Sequence, residues 1–299
     1  MANKAIVIGA GIVGMATARA LAVKGYSVEV FERTERCTGA SIRNFGMVWP
    51  IGKSKGMLYE RAMRSRAIWQ QSCEEGGIWH NPVGSLLNVY HQDELAVIEE
   101  FVALNKDYRE AVVLTKEKTL AKSAATNANG LLASLWSPTE LIVDPREAIW
   151  KLPAYLTSKY GIQFHFNKAV NRIEYPKVYT GKEVHEADVV FVCSGADFET
   201  LYPENYSASG ITKCKLQMLR TTPQEDNWQI GPALSAGLTL THYDAFAACE
   251  SLKALNERIN HEMPEYVKWG IHVMISQNGL SEITIGDSHE YGLGLDPFD

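Results

Sequence analysis

Three glycines near the start of the chain have the spacing of a phosphate-binding turn. Gly9, Gly11 and Gly14 follow a short apolar run at residues 5–8. Glycine at the first position permits a tight turn, the second lets the backbone approach a pyrophosphate, and the third lets a helix pack closely on a strand. The pattern predicts that this turn binds the phosphates of an adenine dinucleotide.

A helix is expected to start directly after the second of these glycines, because residues 12–24 are rich in alanine. The first N–H groups of a helix, here those of Ile12 and Val13, have no acceptor within the helix. The positive end of the helix dipole lies at the same place. Both features favour an anion, so this helix start is a candidate site for the pyrophosphate.

Glu32 ends a second apolar run, residues 28–31, which is predicted to be a strand. At this position a carboxylate can accept hydrogen bonds from both hydroxyls of a ribose. A 2′-phosphate would be repelled there, which makes NADP a poor candidate. The strands, the helix and the acid all agree with a dinucleotide site. The alternative, a glycine-rich turn that only packs a helix on a strand, leaves Glu32 unexplained.

The composition is that of an ordinary globular protein. Of 299 residues, 46% are hydrophobic and 21% are charged, and this length accommodates two domains. A net charge of −6, with no basic cluster in the sequence, argues against a nucleic-acid-binding protein. No apolar run reaches the ~20 residues needed to span a bilayer, and the first strand starts too early for a signal peptide. These features predict a cytoplasmic protein without a membrane span.

The cysteines predict neither a disulfide framework nor a zinc site. Their number is odd, they are scattered, and none has C-x-x-C spacing. Free thiols in a reducing compartment are the expected state. The five positions are Cys37, Cys73, Cys193, Cys214 and Cys249.

The loop at residues 33–50 is rich in small and polar residues, where NAD enzymes usually continue into another helix. Its pattern G-A-S-x-x-N-x-G-M, at residues 39–47, resembles a loop of the D-amino-acid oxidase, glycine oxidase and sarcosine oxidase superfamily. The resemblance implies FAD as the cofactor, with this loop beside the ribityl chain and the flavin ring. The FAD contacts that it implies are Arg33, Ala40, Ser41, Arg43, Asn44, Gly46 and Met47, besides the glycine turn and Glu32.

Two alternatives stay open for this loop. It can be a surface segment that only caps the βαβ unit. Cys37, near the expected cofactor site, can be an ordinary loop thiol or the point where a flavin is bonded covalently, as in some flavoenzymes.

A long helix is predicted in the middle of the chain. Asp144 and Pro145 have the residue types of an N-cap and a first helical position. The helix is expected to run toward residue 160, to bend at Pro153 and to end at Gly161.

An apolar run at residues 187–193 is typical of a strand in a buried parallel sheet. Together with the preceding D-P and G-x-x-F patterns, it resembles the return of this superfamily's chain to the FAD domain. By that resemblance, Val170 contacts the adenine through its backbone. Ser194 and Gly195 are then expected to lie near the pyrophosphate.

Apolar periodicity predicts most of the remaining elements. After Lys215 the chain alternates in short, glycine-punctuated runs that are typical of an antiparallel sheet. Predicted helices cover residues 58–73, 94–104 and 250–263. Predicted strands cover residues 85–89, 131–136, 162–166, 169–175, 270–277 and 282–285.

The fold class expected from the resemblance is α/β. It is a two-dinucleotide-binding FAD fold with an interleaved α+β substrate domain, which is built on an antiparallel sheet. The FAD-binding domain is expected to consist of residues 1–75 and 140–212. The substrate domain is expected to consist of residues 76–139 and 213–299.

Four side chains are candidates for contact with a substrate. His242 and Tyr243 follow an alternating run, so one of them is expected on the interior face of the sheet, where it could bind an anionic group. The alternative for His242 is a histidine hydrogen-bonded to backbone at a strand end. Arg220 is a second anion partner, although strand arginines usually face solvent. Trp49 could contact the flavin or the substrate, or belong to the core.

Asp287, His289 and Glu290 have the residue types of metal ligands. One segment without a second cluster is weak support for a metal. The preferred interpretation is a loop that approaches the flavin edge, and no metal is predicted.

The resemblance implies oxidation of the C–N bond of a small amine or amino acid, with hydride transfer to flavin N5. Residues 238–243, 269–274 and 286–292 resemble a bacterial subgroup associated with aminophosphonate breakdown, which implies an anionic substrate. No catalytic acid or base is assigned, because desolvation of the amine matters more than a dedicated base. The alternatives are an NAD-dependent dehydrogenase that shares only the βαβ unit, and a non-catalytic nucleotide-binding protein.

Members of the superfamily finish with a further strand, a glycine-rich loop and a long helix, whereas this sequence stops at D-P-F-D. We therefore expect weakened retention of FAD unless such a segment is supplied. Equal flavin occupancy of this chain and of an extended one would contradict that expectation.

Overall fold

The computed structural model describes residues 2–296 and divides the chain into two compact units. Unit 1 consists of Met1–Asn44, Ser72–Ile78 and Pro145–Lys213. Unit 2 consists of Phe45–Gln71, Trp79–Asp144 and Cys214–Asp299. Each unit is thus discontinuous in sequence, and unit 2 includes residues 45–71, which the sequence analysis assigns to the first domain.

The strands are β1 Lys4–Ile8, β2 Ser27–Phe31, β3 Met47–Val48, β4 His80–Asn81, β5 Ser85–Val89, β6 Val112–Thr115, β7 Ala133–Ser137, β8 Leu141–Val143, β9 Gln163–His165, β10 Arg172–Glu174, β11 Lys177–Thr180, β12 Glu183–Glu186, β13 Val189–Val192, β14 Lys213–Arg220, β15 Ala233–Ala236, β16 Met274–Gln277 and β17 Ile283–Gly292.

The helices are α1 Ile12–Val23, α2 Met57–Gly76, α3 Gln92–Asn105, α4 Lys116–Lys122, α5 Pro145–Tyr160, α6 Pro203–Ser209, α7 Leu238–His242, α8 Leu252–Glu262 and α9 Pro264–Lys268. Within residues 2–296, no helix combines the length and the apolar character that crossing a bilayer requires.

Unit 1 is built around a parallel sheet with the strand order β13-β1-β2-β9. Strand β1 pairs in parallel with both β2 and β13. Residues 5–8 of β1 are buried. The βαβ unit predicted from the glycine spacing is therefore present, with α1 connecting its two strands.

Strand β13 is parallel, as its apolar sequence predicts, but it is less buried than that sequence suggests. It lies at the edge of the sheet among the described residues, and Phe191 is 39% exposed. The apolar core of this unit instead packs Ile6, Ile8 and Phe31 against Val170 and Val178. A small antiparallel sheet, β10-β11-β12, carries the last of these residues.

Helix α5 begins at Pro145, where the sequence predicts a helix start, and continues without a break through Pro153 to Tyr160. It contacts α1 within unit 1. Ala148, Ile149, Leu152 and Leu156 are buried, so one face of the helix belongs to the core.

Unit 2 contains a seven-stranded sheet with the order β14-β17-β16-β15-β5-β7-β6. Strand β15 pairs in parallel with β5. The pairs β15–β16, β16–β17, β5–β7 and β6–β7 are antiparallel. The sheet is therefore mixed rather than purely antiparallel. A second, small sheet of unit 2 has the order β3-β8-β4.

The core of unit 2 lies where helices α3, α7 and α8 contact one another and the sheet. Val97, Ile98 and Phe101 of α3 are fully buried. Leu240 of α7 and Phe246 belong to the same cluster, and the Phe246 ring packs against Phe101 with centroids 4.8 Å apart. This packing positions the chain directly before and after Tyr243.

Two sequence-based expectations about local structure are wrong. Residues 238–242 form helix α7 rather than an alternating strand, and the neighbours Thr239 and Leu240 are both buried, which a half-buried strand does not allow. Five residues are too few to separate the two periodicities. Residues 286–292 belong to strand β17 rather than to a loop, because Gly286 pairs with Met274 and extends the sheet.

Candidate functional site

The glycine turn of unit 1 has no room for side chains at two of its three positions. Gly9 has a φ of +103°, and a Cβ there would overlap with the Cys193 carbonyl oxygen. A Cβ at Gly14 would overlap with the carbonyl oxygen of Gly9. Glycine is therefore needed for the turn itself and for the close approach of α1 to β1.

The loop after β2 lies directly against this turn. A Cβ at Gly11 would lie 3.1 Å from Ser41 Oγ, and the backbone N–H of Ile12 donates a hydrogen bond to that oxygen at 3.0 Å. Asn44 Nδ2 donates in turn to the Ser41 carbonyl oxygen at 3.0 Å. Ala40 and Arg43, in the same loop, are exposed.

Glu32 is buried beside the turn, with 8% of its surface exposed. Its Oε2 accepts a hydrogen bond from the Ala10 N–H at 3.0 Å. Its Oε1 accepts from the N–H of Thr34 at 3.1 Å and from Thr34 Oγ1 at 2.8 Å. A carboxylate has about four acceptor positions, so about one is left for a ribose hydroxyl, rather than the two that the sequence analysis expects.

The segment after β13 also lies next to the turn. The Cys193 N–H donates to the Ile8 carbonyl oxygen at 2.8 Å, and Ser194 Oγ donates to the Asp197 carbonyl oxygen at 3.0 Å. Gly195 has a φ of +67° and open space on its Cβ side. Arg33 forms an ion pair with Asp197 at 2.8 Å.

Val170 is buried in the core of unit 1 and packs with Ile6 and Phe31. Its side chain is therefore occupied by packing. A ligand could meet this residue only through its backbone, which is the kind of contact that the resemblance implies.

In unit 2, residues 45–48 are held by backbone hydrogen bonds. Met47 pairs with Ile142 of β8, and the Gly46 carbonyl oxygen accepts from the Val143 N–H at 2.9 Å. Ser276 Oγ donates to the Phe45 carbonyl oxygen at 2.7 Å. These contacts fix the backbone conformation at Met47.

Trp49 and Tyr243 lie together in unit 2. Their ring centroids are 6.5 Å apart. A Cβ at Gly52 would lie 2.7 Å from the Trp49 ring and 2.8 Å from the Tyr243 ring, so both rings pack against that glycine. Burial raises the pKa of Tyr243 to about 12, and its hydroxyl donates to Met274 Sδ at 3.2 Å. The phenol is therefore neutral at physiological pH.

Two buried charged residues hold the turn that follows Trp49. Glu140 Oε1 accepts from the Ile51 N–H at 2.9 Å. Arg109 Nη1 donates to the Ile51 carbonyl oxygen at 3.1 Å, and Arg109 Nη2 donates to that of Lys53 at 2.5 Å. Sequence reasoning missed both residues, because they are distant in the chain and stand in no recognisable motif. Only the folded structure shows that these two charged side chains are buried.

Three histidines of unit 2 converge next to Tyr243. The His242 ring centroid lies 3.7 Å from that of His272 and 5.2 Å from that of His289. Asp287 Oδ2 lies within hydrogen-bond distance of His289 Nε2, at 3.2 Å. His272 was not predicted as a site residue, since a lone histidine between a helix and a strand carries no sequence signal.

The other predicted site residues of unit 2 have different partners. Arg220 forms an ion pair with Glu282 at 3.1 Å, so its charge is already compensated. Glu290 forms an ion pair with Lys215 at 2.7 Å. It stands one position from His289, and side chains alternate along a strand, so it faces away from Asp287 and His289.

With this geometry established, comparisons with known proteins give the family. The sequence matches the family model DAO, described as "FAD dependent oxidoreductase", over residues 4–280. The chain belongs to the DAO family of FAD-dependent oxidoreductases. FAD is therefore its cofactor, which excludes the NAD-dependent alternative. Comparison with curated protein sequences gives no match.

Solved structures of similar fold include other oxidoreductases. Glycine oxidase from Bacillus cereus has a TM-score of 0.71 and 17% identity, covering 99% of this chain and 74% of that chain. L-Proline dehydrogenase from P. horikoshii has a TM-score of 0.68 and 21% identity, covering 99% and 72%. Iminodiacetate oxidase from Chelativorans has a TM-score of 0.69 and 17% identity, covering 98% and 73%. These identities show a shared fold.

The glycine turn of this DAO-family chain is compatible with FAD. Gly11 carries no side chain at the N-terminal end of α1, so a phosphate oxygen can approach the backbone there beside Ser41 Oγ, which accepts from the Ile12 N–H. Glu32 keeps an acceptor position at the same place. The glycines and the acid lie together as the sequence predicts, because they act through local spacing, and their contact with FAD stays a prediction.

Proposed function

We propose that this FAD-dependent oxidoreductase oxidises the C–N bond of a small amine or amino acid. The observation that carries the proposal is the position of the Glu32 carboxylate against the glycine turn, because the two together suit an adenine dinucleotide. The amine class is supported by the fold shared with proteins named glycine oxidase, proline dehydrogenase and iminodiacetate oxidase.

In this proposal the backbone of unit 1 holds the cofactor's phosphates. Gly9, Gly11 and Gly14, with the N–H group of Val13, receive the pyrophosphate. The Ile12 N–H joins them where a phosphate oxygen replaces Ser41 Oγ as its acceptor. Glu32 accepts a hydrogen bond from the ribose. The remaining contacts expected from the family resemblance are Arg33, Ala40, Ser41, Arg43, Asn44, Gly46, Met47, Val170, Ser194 and Gly195.

FAD, when bound, supplies a two-electron acceptor for the hydride that leaves the carbon next to the amine. The chain's own residues bind and orient the substrate. Trp49 and Tyr243 offer an apolar aromatic surface, and the neutral Tyr243 hydroxyl, which donates to Met274 Sδ, can accept a hydrogen bond from an amine. An apolar surface disfavours the charged ammonium form, so it favours the unprotonated amine that can be oxidised.

The anionic part of the substrate is proposed to be a carboxylate or a phosphonate. His242 lies beside Tyr243, with ring centroids 5.0 Å apart, and can hydrogen-bond to an anionic group. Arg220 is the weaker candidate, because Glu282 already compensates its charge. An imine formed from such a substrate would hydrolyse to an aldehyde or a keto acid.

We also propose that the protein works in the cytoplasm. All five cysteines are free thiols, two of them buried. Unpaired thiols are typical of proteins in a reducing compartment.

Anaerobic reduction of the bound flavin tests the proposed function. The FAD-loaded protein is mixed without oxygen with glycine, sarcosine, proline, iminodiacetate and small aminophosphonates, and the visible flavin band is recorded. We expect at least one amine to bleach the band and to yield an aldehyde or a keto acid. Glycerol 3-phosphate, an anionic alcohol, is the matched control for C–N selectivity.

Two results would contradict the proposal. A flavin that every amine leaves oxidised would favour a non-catalytic nucleotide-binding role. Bleaching by the alcohol alone would place the reaction at a C–O bond instead.

A further inference from the structure

The cluster of three histidines in unit 2 is assembled from three separate segments. His242 ends α7, His272 lies between α9 and β16, and His289 stands on β17. One nitrogen of each ring can be chosen so that all three lie within 4.8 Å of one another. The tertiary fold therefore brings together three imidazoles that are far apart in the sequence.

Asp287 adds a carboxylate to this cluster. It stands two positions before His289 on the same strand, so both side chains point to the same face. Its Oδ2 lies 3.2 Å from His289 Nε2, and its Oδ1 lies 3.7 Å from His272 Nε2. The four groups together offer three nitrogen donors and one oxygen donor.

Two of these residues are buried with polar atoms that have no hydrogen bond. His272 is 3% exposed, and neither of its ring nitrogens has a hydrogen-bond partner among residues 2–296. The same holds for Asp287 Oδ1 among those residues. Buried polar atoms in folded proteins are almost always satisfied, so such a group of orphaned atoms indicates a ligand.

The electrostatics of the cluster favour a cation over an anion. Each of the three imidazole rings can present a lone pair to an ion. Asp287 adds a carboxylate, with Oδ1 3.7 Å from His272 Nε2 and Oδ2 3.2 Å from His289 Nε2. Lone pairs beside a carboxylate suit a metal ion, whereas an anion at the same place would lie against the Asp287 carboxylate.

We propose that His242, His272 and His289 form a binding site for a divalent transition-metal ion, and that Zn²⁺ is its best match. Three histidines are a known protein ligand set for Zn²⁺, which leaves a fourth position for a water or another ligand. Asp287 either completes the coordination or orients His289 through its hydrogen bond, as carboxylates behind metal-bound histidines do. This inference does not rest on the proposed amine oxidation, since His242 can bind the ion through one ring nitrogen and keep the other for a hydrogen bond.

The spacing of the rings is close to what the ion requires. Zn–N distances of 2.0–2.1 Å in a tetrahedral site place the ligand atoms roughly 3.4 Å apart. The ligand atoms of the three rings lie within 4.8 Å of one another, so binding would require them to move closer by roughly 1.4 Å at most. The exposed edge at His242 also gives the ion a route from solvent.

A metal titration of the holoenzyme tests the site. The FAD-loaded protein, prepared without a polyhistidine tag and treated with a chelator, is titrated with Zn²⁺ by calorimetry. We expect one ion per chain and a rise in Tm with Zn²⁺ concentration, because an ion that binds only the folded state stabilises it. Co²⁺ in place of Zn²⁺ should give the intense visible absorption of a tetrahedral site, at longer wavelength than the flavin band.

Variants connect the binding to this cluster. His242→Ala and His289→Ala should each lose stoichiometric Zn²⁺ binding, while Asp287→Asn should weaken it by about 10- to 100-fold. His261→Ala, at an exposed histidine of α8, is the matched control and should bind like the wild type. Circular dichroism of each metal-free variant checks that it is folded.

Two outcomes would overturn the inference. The chelated wild type could fail to bind Zn²⁺ stoichiometrically. Alternatively, His242→Ala and His289→Ala could bind as tightly as the wild type. Neither outcome depends on whether an amine reduces the flavin, so a failure here leaves the proposed function untouched, and the reverse also holds.

Discussion

At the scale of single residues, the Glu32 side chain is held against the glycine turn by internal hydrogen bonds. Three protein donors, from Ala10 and Thr34, already occupy its carboxylate. These hydrogen bonds hold the side chain against the turn and reduce the number of acceptor positions that remain for a ligand. A carboxylate that was fixed in place before binding loses little entropy when a ribose arrives.

Glu32→Gln should weaken FAD binding by about 10- to 100-fold, because a hydrogen bond to a charged group contributes ~1.5–3 kcal/mol. Titration of the apoprotein with FAD, followed by flavin fluorescence, measures the change. Glu29→Gln is the matched control on the same strand, since the Glu29 carboxylate pairs with Lys4 at 2.7 Å. FAD affinity that is equal in the two variants would show that Glu32 does not contact the cofactor.

Other residues of the candidate site had no signal in the sequence. Arg109 and Glu140 hold the turn beside Trp49 from positions far along the chain. Charged residues are usually exposed, so the residue type alone predicts that Arg109 and Glu140 face solvent. They are buried because the folded chain brings hydrogen-bonding partners to both side chains. His272 is a similar case.

At the scale of elements, periodicity located most helices and strands but failed for short ones. The sequence predicts a helix at 94–104, and α3 covers Gln92–Asn105, whereas it predicts a strand where α7 lies. A helix of 14 residues shows its period several times, and one of five residues does not. The Gly237 start of α7 lies against Glu94 of α3, so a tertiary contact helps to set its conformation.

Helices α3 and α8 are joined by a bidentate ion pair. Arg258 Nε lies 2.6 Å from Asp93 Oδ2, and Arg258 Nη2 lies 3.1 Å from Asp93 Oδ1. Burial alone would raise the pKa of Asp93, but the hydrogen bonds from Arg258 and from the Glu94 N–H outweigh it and lower the pKa. The pair therefore stabilises the fold above the unfolded-state pKa of Asp93, and this contribution is lost as the pH falls through the lower folded-state pKa.

Asp93→Asn should lower the free energy of unfolding by about 1–3 kcal/mol at neutral pH. The difference from the wild type should shrink in acid, where the Asp93 carboxylate is protonated in both states. Urea unfolding over a series of pH values measures this. Glu262→Gln, which removes an exposed partner of Arg258 at 3.4 Å, is the control and should cost only ~0.3–0.5 kcal/mol. A pH-independent difference for Asp93→Asn would contradict the argument.

At the scale of the whole molecule, each unit collects three separated segments of the chain. The sequence predicts interleaved domains of two segments each, and the assignment of one domain to FAD and the other to substrate stays a proposal. The structure gives residues 45–71 to unit 2, where Met47 and Val48 pair with β8. The loop that carries the predicted flavin contacts thus contributes residues to both units.

FAD should raise the Tm of the apoprotein by several degrees. A ligand at a hundredfold excess over its Kd stabilises the folded state by ~2.7 kcal/mol. Differential scanning calorimetry with FAD, and with NAD at the same concentration as the control, measures the effect. A shift with NAD and none with FAD would contradict the dinucleotide site as it is assigned.

The sequence by itself determined the βαβ unit, the glycine turn with its acid, and through them the FAD-dependent family. These features depend on spacings within about thirty residues, where backbone sterics and the helix start act locally. Only the tertiary structure decided that His242, His272 and His289 meet, that Arg220 is paired, and that Arg109 and Glu140 are buried. Such contacts join segments far apart in the chain, and no local pattern records which of them will become neighbours.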